Sequence, residues 1–208
     1  ITPNEYEEQE KQQIKDLEST GKFGPNEKEY IKKDGTRYPI IISGFSFTDS
    51  NNKKVVWGII EDITEKKQYE IIYNDNKNLL EYIAIENSLQ KVLDKIVNLA
   101  EKRNPEIICS ILLLDETKQH LFTGSAPSLP KFYNDAVNGV KIGEKVGSCG
   151  SAAYKKIRVI VENINTHENW QDYLDLTQKA NLHACWSQPI ISSQNEVLGT
   201  FAIYNNVI

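Results

Sequence analysis

Hydrophobic positions change their spacing twice along the chain. Up to Glu61 they fall in short runs separated by turn residues: Asn26 to Lys33, a turn at Asp34-Gly35, Arg37 to Thr48 with Pro39 near its edge, and Lys54 to Glu61, entered through the polar loop Asp49 to Lys53. Such runs predict a three-stranded antiparallel meander. Ahead of it, Thr2 fits a helix N-cap with Pro3 at the first helical position, predicting a helix to about Thr20 that Gly21 closes.

From Asp62 to Ala84 there is neither Gly nor Pro, and Tyr69, Ile72, Asn76, Leu79 and Ile83 alternate at spacings of three and four. That is an a/d seam of about two heptads with one polar residue, Asn76, at an a position, where Asn lowers stability but fixes register and oligomer state. Two readings follow, a homodimer seam or a solvated spacer helix. Asn87 and Gln90 have capping-box spacing, and Leu89, Val92, Leu93, Ile96, Val97 and Ala100 form a wide apolar stripe. Lys102 and Arg103 suit a helix C-terminus, and Asn104-Pro105 stops it. The connector is therefore expected to run directly into the first helix of a second domain.

Beyond Pro105 the pattern returns to strands. Ile107 to Leu114 is almost continuously apolar, as a central strand covered on both faces would be. Further strands are predicted at Gln119 to Thr123, Arg158 to Glu162, Ala184 to Ser192 and Val197 to Tyr204, with helices at Pro130 to Val137, Ser151 to Lys156 and Asn169 to Ala180. The fold class predicted is α+β, an antiparallel sheet with helices on one face and loops on the other. The expected division is residues 1–61, a connector over 62–86, and residues 87–208.

Composition narrows the function. In 208 residues the net charge is -5, which gives no basic stripe for nucleic acid. No window reaches the apolar length of a membrane helix, so no direct membrane contact is expected. Three scattered cysteines and no signal peptide make a reducing, cytoplasmic compartment the default. The absence of Met points to an excised piece of a longer protein or to modified methionines left out of the sequence.

Thr20-Gly21-Lys22-Phe23-Gly24-Pro25 through Asp34-Gly35-Thr36, and Trp57-Gly58-Ile59-Ile60-Glu61-Asp62-Ile63-Thr64-Glu65, resemble the C-terminal half of a PAS domain. That resemblance implies half of a sensor sheet with an exposed apolar face, and a signalling helix starting at Asp62-Ile63-Thr64. No cofactor is assigned to it. Ala126 to Pro130, Gly147 to Tyr154, His183 to Ile190 and Leu198 to Tyr204 together resemble a GAF domain, of the branch in bacterial sensor kinases and cyclic-dinucleotide enzymes. Asn163 stands where that branch usually has Asp, and the chain stops at Ile208, before the family's closing helix and a C-terminal output domain.

Gly147-Ser148-Cys149-Gly150-Ser151 precedes a predicted short helix, so its N–H groups are expected to face an anion or a carbonyl oxygen. The resemblance places a ligand between sheet and loops here, with Tyr133, Trp170 and Trp186 as walls and Ser148, Cys149, Ser151 and Cys185 completing the site. On the plainer reading each of these aromatics is simply a core residue. At a helix start Cys149 would have a lowered thiol pKa, or be buried and inert. His120, His167 and His183 lack metal spacing, so no metal is expected.

One GAF-fold family reduces free methionine sulfoxide and has a segment like that around Cys149. Its upstream cysteine would fall where this chain has Val137-Asn138-Gly139-Val140, and its acidic site residues find no match in Trp186-Ser187-Gln188. Three hypotheses result: a non-catalytic sensory fragment with a small ligand of unknown identity, a ligand-free dimerising spacer, and a thiol reductase.

Overall fold

A computed structural model describes residues 2–206. It is α+β and divides into two units, residues 1–78 and 79–208.

In the first unit a short 3-10 turn, Asn4–Tyr6, leads into helix α1, Glu7–Thr20. Pro3 sits at the N-cap of that turn, one position before the helical place the sequence suggested for it. Gly21 closes α1 in the left-handed region at φ 77°, as expected of the residue without a Cβ. Strands β1 (Lys22–Ile31), β2 (Arg37–Thr48) and β3 (Lys54–Asp62) then pair antiparallel in the order β1-β2-β3. Ile40 and Ile63 are buried, and the Ile63 N–H donates to the Pro39 carbonyl at 3.1 Å, tying the strand exit to β2. Lys28, buried to its tip, pairs with Glu10 of α1 at 2.8 Å. The apolar face expected of so small a sheet is there: Phe45, Phe47 and Trp57 cluster with ring centroids 6.1–6.3 Å apart, and Trp57 is 61% exposed.

Helix α2 spans Thr64–Ile85, with the Asp62 carboxylate accepting from the Thr64 N–H (2.9 Å) and hydroxyl (2.6 Å) at its start. None of its residues is buried, and Tyr69, Ile72 and Ile83 of the seam are all exposed. Helix α3, Leu89–Arg103, does not continue α2. Residues 86–88 are non-helical, and Ser88, in extended geometry, caps α3 by accepting from the Lys91 N–H at 3.5 Å. The joint is bonded nonetheless: the Glu86 carboxylate accepts from the Ser88 N–H at 2.9 Å and from the Tyr82 hydroxyl at 3.3 Å, and pairs with Lys91 at 3.4 Å. The direct run of one helix into the next is thus corrected to two helices with a capped corner. The capping residue is Ser88, not Asn87, because the Gln90 side chain reaches away to the Gly124 carbonyl at 2.6 Å.

The second unit is built on six strands: β4 (Ile107–Leu114), β5 (His120–Ser125), β6 (Val140–Lys141), β7 (Val159–Val161), β8 (Ala184–Ile191) and β9 (Val197–Asn205). They run antiparallel in the order β6-β5-β4-β9-β8-β7. Helices cover both faces, which corrects the one-sided expectation. On one face Leu93 and Val97 of α3 pack on Cys109 and Ile111 of β4, with Phe201 and Ile203 beside them. On the other lie α4 (Lys131–Val137), α5 (Gly147–Lys155), a 3-10 segment Glu168–Tyr173 and α6 (Leu174–Lys179), packed over Leu112, Leu121, Cys185, Ala202 and Tyr204. The alternation of β4 and β9 explains the two cores, since neighbouring side chains point to opposite faces.

Gly199 shows why its motif needs glycine. A Cβ there would collide with the Leu112 backbone carbonyl of the adjoining strand, so β9 and β4 approach more closely than any side chain permits. Among the described residues no helix is long and apolar enough to cross a membrane.

Candidate functional site

The Gly147 to Ser151 segment is not a loop ahead of a helix but the first turns of α5 itself. Gly147 enters with φ 51°, a conformation that disfavours side chains, and no side chain caps the helix. Small residues let α5 sit tightly on the sheet, and Ser148, Ser151 and Ala152 have no exposed surface at all.

Between this first turn, β4, β9, α4 and the 3-10 segment lies a cavity of about 30 Å³. Tyr133, Ser148, Cys149 and Trp170 line it, four of the residues expected at a ligand site, together with Tyr173 and Tyr204. Val137 and Val140 also line it, in the segment where a reductase-type upstream cysteine would fall. Tyr133 and Tyr204 meet edge to face with centroids 6.0 Å apart, as do Trp170 and Tyr173 at 6.2 Å.

Ser148 is the polar hub. Its hydroxyl accepts the Trp170 indole N–H at 3.2 Å and donates to the Cys185 carbonyl at 3.3 Å, so one buried side chain joins α5, the 3-10 segment and β8. Asn169 reinforces this, its amide donating to the Ser151 hydroxyl at 3.0 Å and the Gly147 carbonyl at 3.3 Å. Ser151, in turn, donates to the Glu144 carbonyl at 2.9 Å and accepts from the Val146 N–H at 3.1 Å. Ser151 is therefore a clamp for the preceding loop and does not border the cavity. Asn169 gave no signal in the sequence beyond its place before Trp170.

The remaining two expected residues lie elsewhere. Cys185 is buried in the same core, bonded through its carbonyl to Ser148, but is not part of the cavity wall. Trp186 is one position along β8 and so faces the opposite side of the sheet, where the Arg158 guanidinium stacks 5.3 Å from its ring. Its assignment as a pocket wall is corrected on that ground.

The chemistry of the cavity is neutral. Burial pushes the Cys149 thiol up, against the hydroxyls of Ser187, Thr200 and Tyr204, in line with the buried, inert reading of this cysteine and not with the lowered pKa of a helix start. The Thr200 hydroxyl is buried without a hydrogen-bond partner. Burial likewise raises Cys185, Tyr133 and Tyr204 well above their ordinary values. All three cysteines are buried and unbridged, and burial, with the charge of Glu101, pushes Cys109 up to about 12. Among the described residues no group of three or more His, Cys, Asp or Glu is arranged to hold a metal.

Comparison with known proteins matches this architecture. The chain is 42% identical over 147 residues to a methyl sulfide methyltransferase-associated sensor of Methanosarcina acetivorans, covering 71% of this chain but 15% of that protein's length. Among solved structures, the GAF domain from a phosphoenolpyruvate-protein phosphotransferase of Coxiella burnetii superposes with a TM-score of 0.52 at 16% identity, over 65% of this chain and 77% of that one. A GAF sensor structure from Burkholderia vietnamiensis gives 0.51 at 13% identity, over 67% and 80%. At those identities the likeness speaks to the fold alone. Residues 2–65 match the PAS domain and residues 86–207, more than half of the chain, match the GAF domain, so the chain belongs to the GAF domain family, with PAS sequence ahead of it.

Proposed function

We propose that the chain is a non-catalytic sensory module, in which the GAF cavity binds a small molecule and the signal passes along α2 to a partner subunit or to an output domain. The observation that carries this is the cavity, which brings Tyr133, Ser148, Cys149 and Trp170 from three separate elements to one point. The similarity to a protein named as a sensor supports it. In this reading residues 62–86 are the connector and the output is a histidine kinase or a cyclic-dinucleotide enzyme.

The partner is a second copy of this chain. Tyr69, Ile72, Leu80 and Ile83 expose a broad apolar stripe along α2, with Tyr69 70% and Leu80 66% exposed, an arrangement a solvated spacer does not require. Ligand occupancy has to favour one arrangement of the module over another by unequal binding, since equal binding shifts nothing.

A reductase reading is less well supported. Burial keeps the Cys149 thiol protonated, and valines stand where a resolving thiol is needed. The deciding experiment is analytical ultracentrifugation and thermal unfolding of the chain across a metabolite panel, with methionine sulfoxide turnover measured in parallel. A ligand that raises Tm and alters self-association supports the sensor. Turnover that Cys149→Ser abolishes would replace it with the enzyme.

A further inference from the structure

We infer that the ligand is a small uncharged molecule of about two to four non-hydrogen atoms with a single acceptor atom, and not an anion or a cyclic nucleotide. This rests on the reading of the GAF cavity as the sensing site and names the class of compound that fits it.

Size is the first argument. One water needs about 10–15 Å³ of such space, so 30 Å³ admits two or three water-sized groups, or up to about four atoms bonded to one another, which sit closer than waters do. Sites for nucleotide-sized ligands run to several hundred Å³. Reaching that volume here would mean expelling Trp170 or Tyr133, each held by an edge-to-face partner, and Trp170 by a hydrogen bond as well.

Charge is the second. No Lys, Arg, His, Asp or Glu lines the cavity, and its ionisable groups, the Cys149 thiol and the phenols of Tyr133, Tyr173 and Tyr204, are all shifted towards their neutral forms. An ion entering would lose its hydration with no countercharge to replace it. Polarity is the third. The first turn of α5 borders the cavity and has no side-chain cap, and the N–H groups that a helix start leaves unbonded suit one acceptor atom, while Leu112, Val137 and Val140 suit methyl groups. Aromatic walls also favour a polarizable atom such as a thioether sulfur.

The test titrates the whole chain with dimethyl sulfide and acetone as neutral probes, acetate and phosphate as charged ones, and cyclic AMP as the large one. Tm and tryptophan fluorescence are read for the parent, Val140→Phe and Val137→Ala. The expected result is saturable binding of a neutral probe, raising Tm by roughly 5–10 °C at a hundredfold excess over Kd. Val140→Phe, which fills the cavity from a half-buried position, should weaken that binding at least tenfold. Val137→Ala, which enlarges it, should shift preference towards larger neutral molecules and serves as the readout if the Phe variant fails to fold.

Saturable binding of acetate, phosphate or cyclic AMP that Val140→Phe abolishes would overturn the ligand class while leaving the sensing site standing. Neutral binding indifferent to both substitutions would place it elsewhere and overturn the inference. No response to any probe would overturn the inference and the sensing site together.

Discussion

Ser148 offers the sharpest energetic test of how the site is built. Ser148→Ala removes the acceptor for the Trp170 indole N–H at 3.2 Å and the donor to the Cys185 carbonyl at 3.3 Å. The carbonyl belongs to a strand paired on both sides, through β7 and β9, so its loss is modest. The indole N–H, on a side chain only 4% exposed, is left without a partner. An orphaned buried donor costs about 1–3 kcal/mol and a lost net hydrogen bond about 1, so the variant should lose about 2–3 kcal/mol. Trp170→Phe removes the same bond from the other side, along with ring volume. Because both substitutions break this one bond, the double variant should be less destabilised than the sum of the singles by about 1 kcal/mol. Urea unfolding with a common m-value measures all four corners of the cycle. Additivity within about 0.3 kcal/mol would refute the hub, because unconnected residues behave that way.

Other outcomes follow from the same geometry. Gly199→Ala drives a Cβ into the Leu112 carbonyl and should destabilise the GAF unit by about 3 kcal/mol or more, read by loss of thermal unfolding cooperativity. The three buried thiols should resist a thiol reagent in the native protein and react together only after unfolding. A thiol raised in the folded state contributes stability in full below its unfolded pKa and loses it as pH rises towards the folded value. Unfolding free energy should therefore fall above about pH 9 by up to about 1.4 kcal/mol per pH unit for each such thiol, and Cys109→Ala should flatten part of that slope up to about pH 12. Sedimentation should show Asn76→Leu tightening self-association through α2 and Ile83→Lys abolishing it; a chain monomeric throughout would remove the dimer seam.

Much of the fold was legible because burial leaves a periodic trace. Ile107–Leu114 was bounded to the residue by its almost continuous apolar run, and the stripe Leu93, Ile96, Val97, Ala100 became the α3 face on the sheet. Strand β6 was not foreseen, because two residues, Val140 and Lys141, carry no period. The start of α5 was read as a loop because Gly and Ser are poor helix formers, whereas close packing on the sheet demands small residues there. Of the candidate site, the aromatic and small residues on the right elements could be picked out by family pattern. The side of the sheet could not: Cys185 and Trp186 are neighbours in sequence, and only the register of β8 against β9 sends one to the cavity side and the other to Arg158. For the Cys149 thiol the sequence left two readings open, and the structure favours the buried one, since a helix start lowers a pKa only where the field is not outweighed by burial.

The most direct test of a sensing cavity is the Trp170 indole N–H resonance in a ¹H–¹⁵N spectrum during titration with dimethyl sulfide. That proton is held against Ser148 in the cavity wall and should move progressively and saturate while the indole of Trp186, on the other face of the sheet, stays put. A Trp170 signal that never moves, with the protein folded and the same held for acetone, acetate, phosphate and cyclic AMP, would contradict it.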